Sequence, residues 1–391
     1  MGKSINQYIK NIECTEGLDS IMTVEHRSNN PKRDYLFCNR VQAKHIPANP
    51  NTTFGLFGML LSEVKEKVTG KRVVVVGFAE TATAIGAFIS ENLDNCVYHL
   101  QTSREECSGA VRLIEFQEEH SHATEQFLYG NINAIPEFDY ILFVEDEIST
   151  GKTILNFIRE FNHVKSGLKF GVASICNWQS EENKQIYTDN NIDTFALIRG
   201  ELGNVNAKMD VKIKEIEDDF ASNIYKHNTY GYTEIDLGTS VFEIERTGRV
   251  PGDNTYLDVI RKTTDEAVKN TLEAHSALVI GTEESMYIPI TVAYALENIG
   301  INVRTHSTTR SCIDVIDGVD GMNGGIEQRY KLHSAYDNKR NTYIYNLKKY
   351  DKVLIITDSN TTEEFKQDIV CALIECGNKT EDIIFIKTNK F

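Results

Sequence analysis

Tyr140-Ile141-Leu142-Phe143-Val144-Glu145-Asp146-Glu147-Ile148-Ser149-Thr150-Gly151-Lys152-Thr153 is the stretch from which the rest of the chain can be read. Its apolar run, Ile141 to Val144, predicts a strand buried on both faces. An acidic pair, a turn of small residues and a helix expected from Ile154 to Phe161 follow. Backbone N–H groups at a helix N-terminus lack intrahelical acceptors, and together with the helix dipole they hold a phosphate. Lys152 and the hydroxyls of Ser149, Thr150 and Thr153 suit the same anion. Gly151-Lys152-Thr153 ends like a nucleoside-triphosphate loop, but that motif needs a glycine where Asp146 stands, which argues against an ATPase. Glu145 and Asp146 would repel a phosphate, so they point to a partner that wants acids: a ribose diol or a metal ion.

At 391 residues and 41% apolar content the chain has room for two or three domains of a soluble protein. Its net charge of −16 argues against general nucleic-acid or anionic-membrane binding, so a phosphorylated ligand must be met by a local basic patch or by Mg²⁺. The eight cysteines show no Cys-x-x-Cys and no zinc spacing, which fits reduced thiols in a cytoplasmic protein. There is no signal core and no window long enough to span a membrane.

Ahead of the opening stretch, residues 21 to 50 form a basic island, with Arg27, Lys32, Arg33, Arg40 and Lys44, readable as a hood over a site or as a solvated surface. A helix is expected from Phe54 to Val68, stopped at Gly70, and then a buried strand from Arg72 to Val76. That strand opens into Gly77-Phe78-Ala79-Glu80-Thr81-Ala82-Thr83, whose small residues let backbone approach a ligand. A strand from Val97 to Gln101 ends in Thr102-Ser103-Arg104. The acidic segment to Gly130 reads as a long functional loop containing Glu119, His120 and His122; two histidines without further ligands do not make a zinc site. A strand from Phe170 to Ile175 leads to the single tryptophan, Trp178, a stacking or a packing residue. The expected organisation is a first domain over 1–203, an irregular linker over 204–254 and a second domain over 255–391.

The second domain echoes the first. Ala277-Leu278-Val279-Ile280-Gly281-Thr282-Glu283-Glu284-Ser285 parallels the 73–81 segment, Thr308-Thr309-Arg310-Ser311 parallels Thr102-Ser103-Arg104, and Thr357-Asp358 parallels Glu145-Asp146. A duplicated α/β unit follows. The cradle is not duplicated: Ser359 to Glu364 lacks the Gly-Lys-Thr element, leaving Glu284, Thr309, Arg310 and Ser311 as a candidate second site for phosphate or carboxylate. A phosphohydrolase acting through Asp358 would want a second aspartate where Asn360 stands.

Four apolar residues, two acids and a hydroxyl-rich loop resemble the phosphoribosyl pyrophosphate (PRPP) signature of type I phosphoribosyltransferases. Asn30-Pro31-Lys32-Arg33, Lys44-His45-Ile46-Pro47, Glu119-His120-Ser121-His122-Ala123, Gly281-Thr282-Glu283-Glu284 and Thr309-Arg310-Ser311 extend the likeness. Together the two halves resemble the phosphoribosyltransferases of bacterial tellurium-resistance and stress gene clusters that are followed by a TRSP domain, with Cys312 departing from the proline of the name-giving motif. The resemblance implies a parallel sheet flanked by helices, then a related α/β domain. It also implies transfer of ribose 5-phosphate from PRPP to a small base-like acceptor, with release of pyrophosphate under Mg²⁺. Glu145 and Asp146 would hold the ribose or the metal, and Ser149, Thr150, Gly151, Lys152 and Thr153 the 5′-phosphate. Ala79, Glu80, Thr81, Ala82 and Thr83 would form the pyrophosphate turn, with Arg104 and Lys44 as its cations. Glu119, His120 and His122 would belong to a flap, and Arg33 and Trp178 would lie on the acceptor side. Gene-cluster products and a second copy of the chain are the expected partners. The alternative is a PRPP- or nucleotide-binding regulator without turnover.

Overall fold

The computed structural model describes residues 5–13, 17–28, 33–117, 125–203, 208–226, 231–238, 241–319 and 325–388. The first part of the chain runs β1 (Ile9–Glu13), α1 (Leu18–Ile21), β2 (Met22–His26), β3 (Tyr35–Asn39), α2 (Pro50–Lys65), β4 (Val73–Gly77), α3 (Thr83–Asn92), β5 (Cys96–Ser103), β6 (Arg112–Gln117) and β7 (Glu125–Tyr129). It continues through β8 (Tyr140–Ile148), α4 (Lys152–Val164), β9 (Lys169–Asn177), α5 (Glu181–Asp189) and β10 (Ile192–Leu202). One sheet, in the order β1-β10-β9-β8-β4-β5-β7-β6, holds all of these strands except the β2–β3 hairpin. Its five central strands, β10 to β5, are parallel, and antiparallel β1 and β7 flank them.

Period-two alternation makes the two faces. Val73, Val75, Leu142 and Val144 turn to the side packed by α2 and α3, whereas Val74, Val76, Ile141 and Phe143 turn to Phe157 and Phe161 of α4. Asn49 caps α2 by accepting from Thr52 N, with Pro50 at the first helical position, so this helix starts four residues before its apolar periodicity does. Leu56, Phe57, Leu60 and Val64 then bury one stripe of it.

The remaining elements are α6 (Ala221–Ile224), β11 (Thr233–Asp236), α7 (Phe242–Thr247), α8 (Asn254–Thr271), β12 (Ser276–Gly281), α9 (Tyr287–Asn298), β13 (Asn302–Ser307), β14 (Arg329–His333), β15 (Asn341–Tyr345), β16 (Lys352–Thr357), α10 (Glu363–Glu375) and β17 (Ile383–Lys387). They build a second sheet in the order β11-β17-β16-β12-β13, parallel throughout. Its β17-β16-β12-β13 repeats β9-β8-β4-β5 in order and chain sequence, so the duplication legible in the sequence is a duplication of topology over four strands; the fifth differs, since β11 precedes its unit in the chain whereas β10 follows its own. The repeat reaches single hydrogen bonds: Ala79 N donates to Thr102 Oγ1 at 2.8 Å in the first copy, and Glu283 N donates to Thr308 Oγ1 at 3.1 Å in the second.

Two expectations change. Residues 204–254 are not an irregular linker: β11 is an edge strand of the second sheet, and Arg249 bridges to His99 of the first. The stretch after Arg104 is not one long loop either, since β6 and β7 pair into a hairpin that extends the first sheet. The adjacent apolar pairs Leu113-Ile114 and Phe127-Leu128 carry that strand signal, which the neighbouring charges obscure.

Helix α3 lies against β4 through two glycines, and a Cβ on Gly86 would sit 2.7 Å from Gly77 Cα. Gly86→Ala is expected to lower stability by about 1–3 kcal/mol through overpacking. Gly58→Ala in α2, where a Cβ would meet nothing within 4 Å, should raise it by about 0.5–1 kcal/mol. Urea midpoints moving in the same direction in both variants would contradict this packing.

Candidate functional site

Strand order reverses between β4 and β8: from β4 the chain moves outward to β5, and from β8 it moves the other way to β9 and β10. In open parallel sheets a ligand sits in the crevice at the carboxyl ends of the strands at such a point. The acids fall there because β8 continues as strand through Ile148 instead of stopping at Val144. Alternation along those extra residues separates the expected pair. Glu145 and Glu147 line a cavity of about 200 Å³, together with Ile148 to Ile154 and Asn156, and Asp146 is not among the lining residues. Burial, and then the charge of Glu147, pushes the Asp146 carboxyl up to about 6. Glu147 is the acid the sequence reading passes over, although a strand one turn longer would have brought it out.

The loop of the cradle stands in the same cavity. Gly151, at φ 75°, turns the chain into α4, and Lys152 N donates to Thr150 Oγ1 at 3.4 Å. The loop is tied from behind: Tyr187 Oη donates to Gly151 O at 2.8 Å and Gln179 Nε2 to Thr150 O at 3.4 Å. Its carbonyls are thereby taken up by protein, while the first N–H groups of α4 have no acceptor within their own helix. Nothing in the local pattern marks Gln179 or Tyr187, which reach the loop from α5 and the segment before it.

The β2–β3 hairpin meets the acidic end of β8. Arg33 Nη1 lies 3.3 Å from Glu147 Oε1, with its guanidinium 4.6 Å from the Tyr35 ring centre and 4.8 Å from that of Phe37. Arg33 therefore stands beside an acid of the cavity wall. Trp178 is not exposed to it: the indole is fully buried, 5.6 Å from the Phe37 ring, and is a packing residue.

The 79–83 turn leaves β4 beside Val144, with Phe78 N donating to Val144 O at 3.0 Å. Second-domain residues cover it. Lys44, 1% exposed, reaches Glu80 of its own domain at 2.5 Å and, across the domain junction, Glu283 O at 2.7 Å and Thr308 O at 3.0 Å, so all three of its donors are spent on protein rather than directed at the cavity. Burial would raise the Glu80 pKa, but Lys44, Arg310 and Arg104 outweigh it and hold the carboxyl at about 2. Arg104 N donates to Glu284 Oε1 at 2.6 Å and Thr83 Oγ1 to Glu284 O at 2.8 Å.

The candidate second site is filled by the protein itself. Arg310 pairs with Glu105 of the first domain and, at 2.9 Å, with Glu283; Arg340 binds the same two acids at 2.7 and 3.1 Å. Asp358 takes Arg246 at 2.6 Å and Tyr336 Oη at 2.5 Å. Thr309 exchanges backbone bonds with Tyr343, and its Oγ1 accepts from Ser311 N at 3.2 Å. Thr362 caps α10, with Glu363 and Glu364 in the first turn, so an anion is not invited there. The cation in the Thr309-Arg310-Ser311 turn does hold carboxylates, as its chemistry suggests, and they come from this chain. Glu119, His120 and His122 lie outside the described residues, as do Asn30 to Lys32. No group of three or more His, Cys, Asp or Glu among the described residues is arranged around a metal position, and no described helix is long and apolar enough to cross a membrane.

A parallel sheet with acids and a glycine-turned, hydroxyl-rich loop at its switch point defines an α/β protein with its candidate site in the crevice at the strand ends. Residues 21–201 match the family model described as phosphoribosyl transferase, and residues 244–373 match the model of the TRSP domain that lies C-terminal to it. The chain thus carries a phosphoribosyl transferase domain followed by a TRSP domain. No curated protein matches. Among solved structures, adenine phosphoribosyltransferase from Trypanosoma brucei, in complex with AMP, pyrophosphate and ribose 5-phosphate, is 13% identical with a TM-score of 0.39, over 53% of this chain and 89% of that one. The enzyme from Rhodothermus marinus gives 17% and 0.35 over 46% and 96%, and orotate phosphoribosyltransferase from Aeropyrum pernix gives 11% and 0.30 over 46% and 88%. Likenesses of this size carry no argument of their own.

A Cβ at Gly151 would meet Tyr187 Oη at 2.3 Å and Gln179 Nε2 at 2.6 Å, in a backbone conformation side chains avoid. Gly151→Ala is expected to weaken ribose 5-phosphate binding by roughly tenfold or more, with little change in far-ultraviolet circular dichroism. Calorimetric affinity equal to wild type would show that the loop does not hold the phosphate.

Proposed function

We propose that the protein transfers ribose 5-phosphate from PRPP to a base-like acceptor and releases pyrophosphate. The observation that carries this reading is the shared cavity of Glu145, Glu147 and the 149–153 loop at the sheet's switch point. The loop N–H groups, the Lys152 ammonium and the Ser149, Thr150 and Thr153 hydroxyls hold the 5′-phosphate. Glu145, with Asp146 or Glu147, accepts hydrogen bonds from the ribose hydroxyls. Departure of pyrophosphate leaves an oxocarbenium-like sugar, so acids near the ring and cations near the leaving group stabilise the two separating charges. Arg104 and the 79–83 turn stand on the pyrophosphate side, and Arg33 of the hood on the acceptor side. Mg²⁺ is usually held by one or two carboxylates plus substrate oxygens, a donor set that Glu145 and Glu147 fit; it would neutralise the pyrophosphate. A cytoplasmic setting, a homo-oligomer and a place in stress or tellurium-resistance metabolism belong to the same reading.

One observation favours a second reading, a PRPP-binding regulator. The 79–83 turn is largely buried and its acid already neutralised by Lys44, an arrangement suited to sensing as well as to turnover. PRPP binding without pyrophosphate release across a panel of purine and pyrimidine bases would select it.

Titration with PRPP is expected to give Mg²⁺-dependent binding, weakened on the order of tenfold in Glu145→Gln and in Lys152→Ala. Absence of binding to wild type at millimolar PRPP sinks the proposal. A carboxyl raised to about 6 must lose its proton to serve the ligand, so affinity should fall as pH drops below 6, by up to about tenfold per unit. That fall should flatten in Asp146→Asn; an identical pH profile in the variant would remove Asp146 from the site.

A further inference from the structure

Glu284 belongs to the second domain, yet its bonds to the first domain all fall on one side of the candidate site. Its Oε1 accepts from Arg104 N at 2.6 Å, its Oε2 accepts from Ser103 Oγ at 2.7 Å, and its carbonyl accepts from Thr83 Oγ1 at 2.8 Å. A single residue, 1% exposed, therefore spans both loops that stand on the pyrophosphate side, the 79–83 turn and the 102–104 turn. Behind it, Arg246 Nη2 lies 3.4 Å from Oε2 and is itself anchored by Asp358, so the carboxylate is fixed in orientation. The 149–153 loop has different support: Gln179 and Tyr187 hold it, both from the first domain. The 149–153 loop is thus held from the first domain, whereas the 79–83 and 102–104 turns are held from both: Gln42 Nε2 donates to Thr81 O at 2.9 Å and Lys44 pairs with Glu80 on the first-domain side, and Glu284 binds from the second.

We infer that Glu284 is a positioning residue through which the second domain sets the geometry of pyrophosphate binding, while leaving the 5′-phosphate cradle independent of it. The inference rests on the PRPP reading. Its physical content is that, apart from Glu80 and Arg104, the two first-domain loops present small residues, and that their first-domain bonds leave Arg104 N and the closer bond of Ser103 Oγ to Glu284. A ligand's affinity for backbone and guanidinium donors depends on those donors being held before it arrives. The carboxylate of Glu284 supplies that hold with two acceptors aimed at two donors. A glutamine in its place offers one acceptor and one competing donor, so either Arg104 N or Ser103 Oγ loses its partner. Glu284 is also the counterpart of Glu80 in the duplicated unit, and the exchange is reciprocal: Lys44, the partner of Glu80, donates to Glu283 O in the second domain.

The test uses the full chain, titrated separately with Mg²⁺-pyrophosphate and with ribose 5-phosphate, for wild type, Glu284→Gln and Ser103→Ala. Glu284→Gln should weaken pyrophosphate on the order of tenfold or more. Ser103→Ala, a milder change made from the first-domain side, should shift pyrophosphate in the same direction by less. Ribose 5-phosphate should bind all three alike. Unchanged pyrophosphate affinity in both variants overturns the inference while leaving the PRPP reading intact. Equal loss of both ligands also overturns it, because Glu284 would then hold the fold and not the pyrophosphate side. Failure of wild type to bind either ligand overturns the PRPP reading, and the inference with it.

Discussion

The turn that leaves β4 and the turn that leaves β12 are bonded to each other in a buried, charged junction, and the relation between the two domains depends on it. Glu80, Glu283, Glu284 and Asp358 are almost wholly buried, as are Lys44 and Arg246. Taking such charges out of water costs several kcal/mol each, and the cost is met only where partners are close and well aligned. Here each has one: Lys44 with Glu80, Arg310 and Arg340 with Glu283, Arg246 with Glu284 and Asp358. Burial works against the Arg246 charge, yet Asp358, Tyr336 and Glu284 outweigh it and raise its pKa well above the ordinary value. Removing one member of such a set typically costs roughly 3–5 kcal/mol, because the other is left charged and unpaired. A junction of this kind specifies how the two units sit more strongly than an apolar one, since a small slip would break many directed bonds at once.

Duplication explains why the junction exists and why it is asymmetric. Both sheets reverse direction at the same place, and both present a glycine-ended strand, a short acidic turn and a Thr/Ser-Arg element there. The first copy keeps a glycine-turned loop at the start of α4. In the second, Thr362 caps α10, and Glu363 and Glu364 occupy its first turn. Arg246, Tyr336 and Arg340 then fill the strand ends from within. The strand ends of the second unit are occupied by its own side chains, and its turn supports the neighbouring copy.

Much of this was readable in residue patterns. Five consecutive buried residues, Tyr140 to Val144, and the run Val73 to Val76 specify the central strands without tertiary information, and Gly151 and Gly77 mark their exits. What escapes the reading lies where a side chain's role depends on a distant partner. Lys44 looks like a cation for a ligand until Glu80 and two second-domain carbonyls are seen to use its donors. Trp178 looks like a stacking platform until Phe37 closes over it. Glu147 was hidden because its place on the cavity wall follows from β8 running past the acids, and strand ends are set by pairing with β9 more than by local propensity. The 204–254 segment has little apolar periodicity of its own; β11 is a strand because β17 offers it an edge.

The account turns on where a phosphorylated sugar sits, so its most direct test is a crystal structure of the full chain with PRPP and Mg²⁺. The 5′-phosphate should rest on the amides and hydroxyls of residues 149–153, the ribose hydroxyls against Glu145 and its acidic neighbours, and the pyrophosphate beside the 79–83 turn and Arg104. PRPP bound with its 5′-phosphate elsewhere, or an empty switch point at saturating ligand, would contradict the assignment.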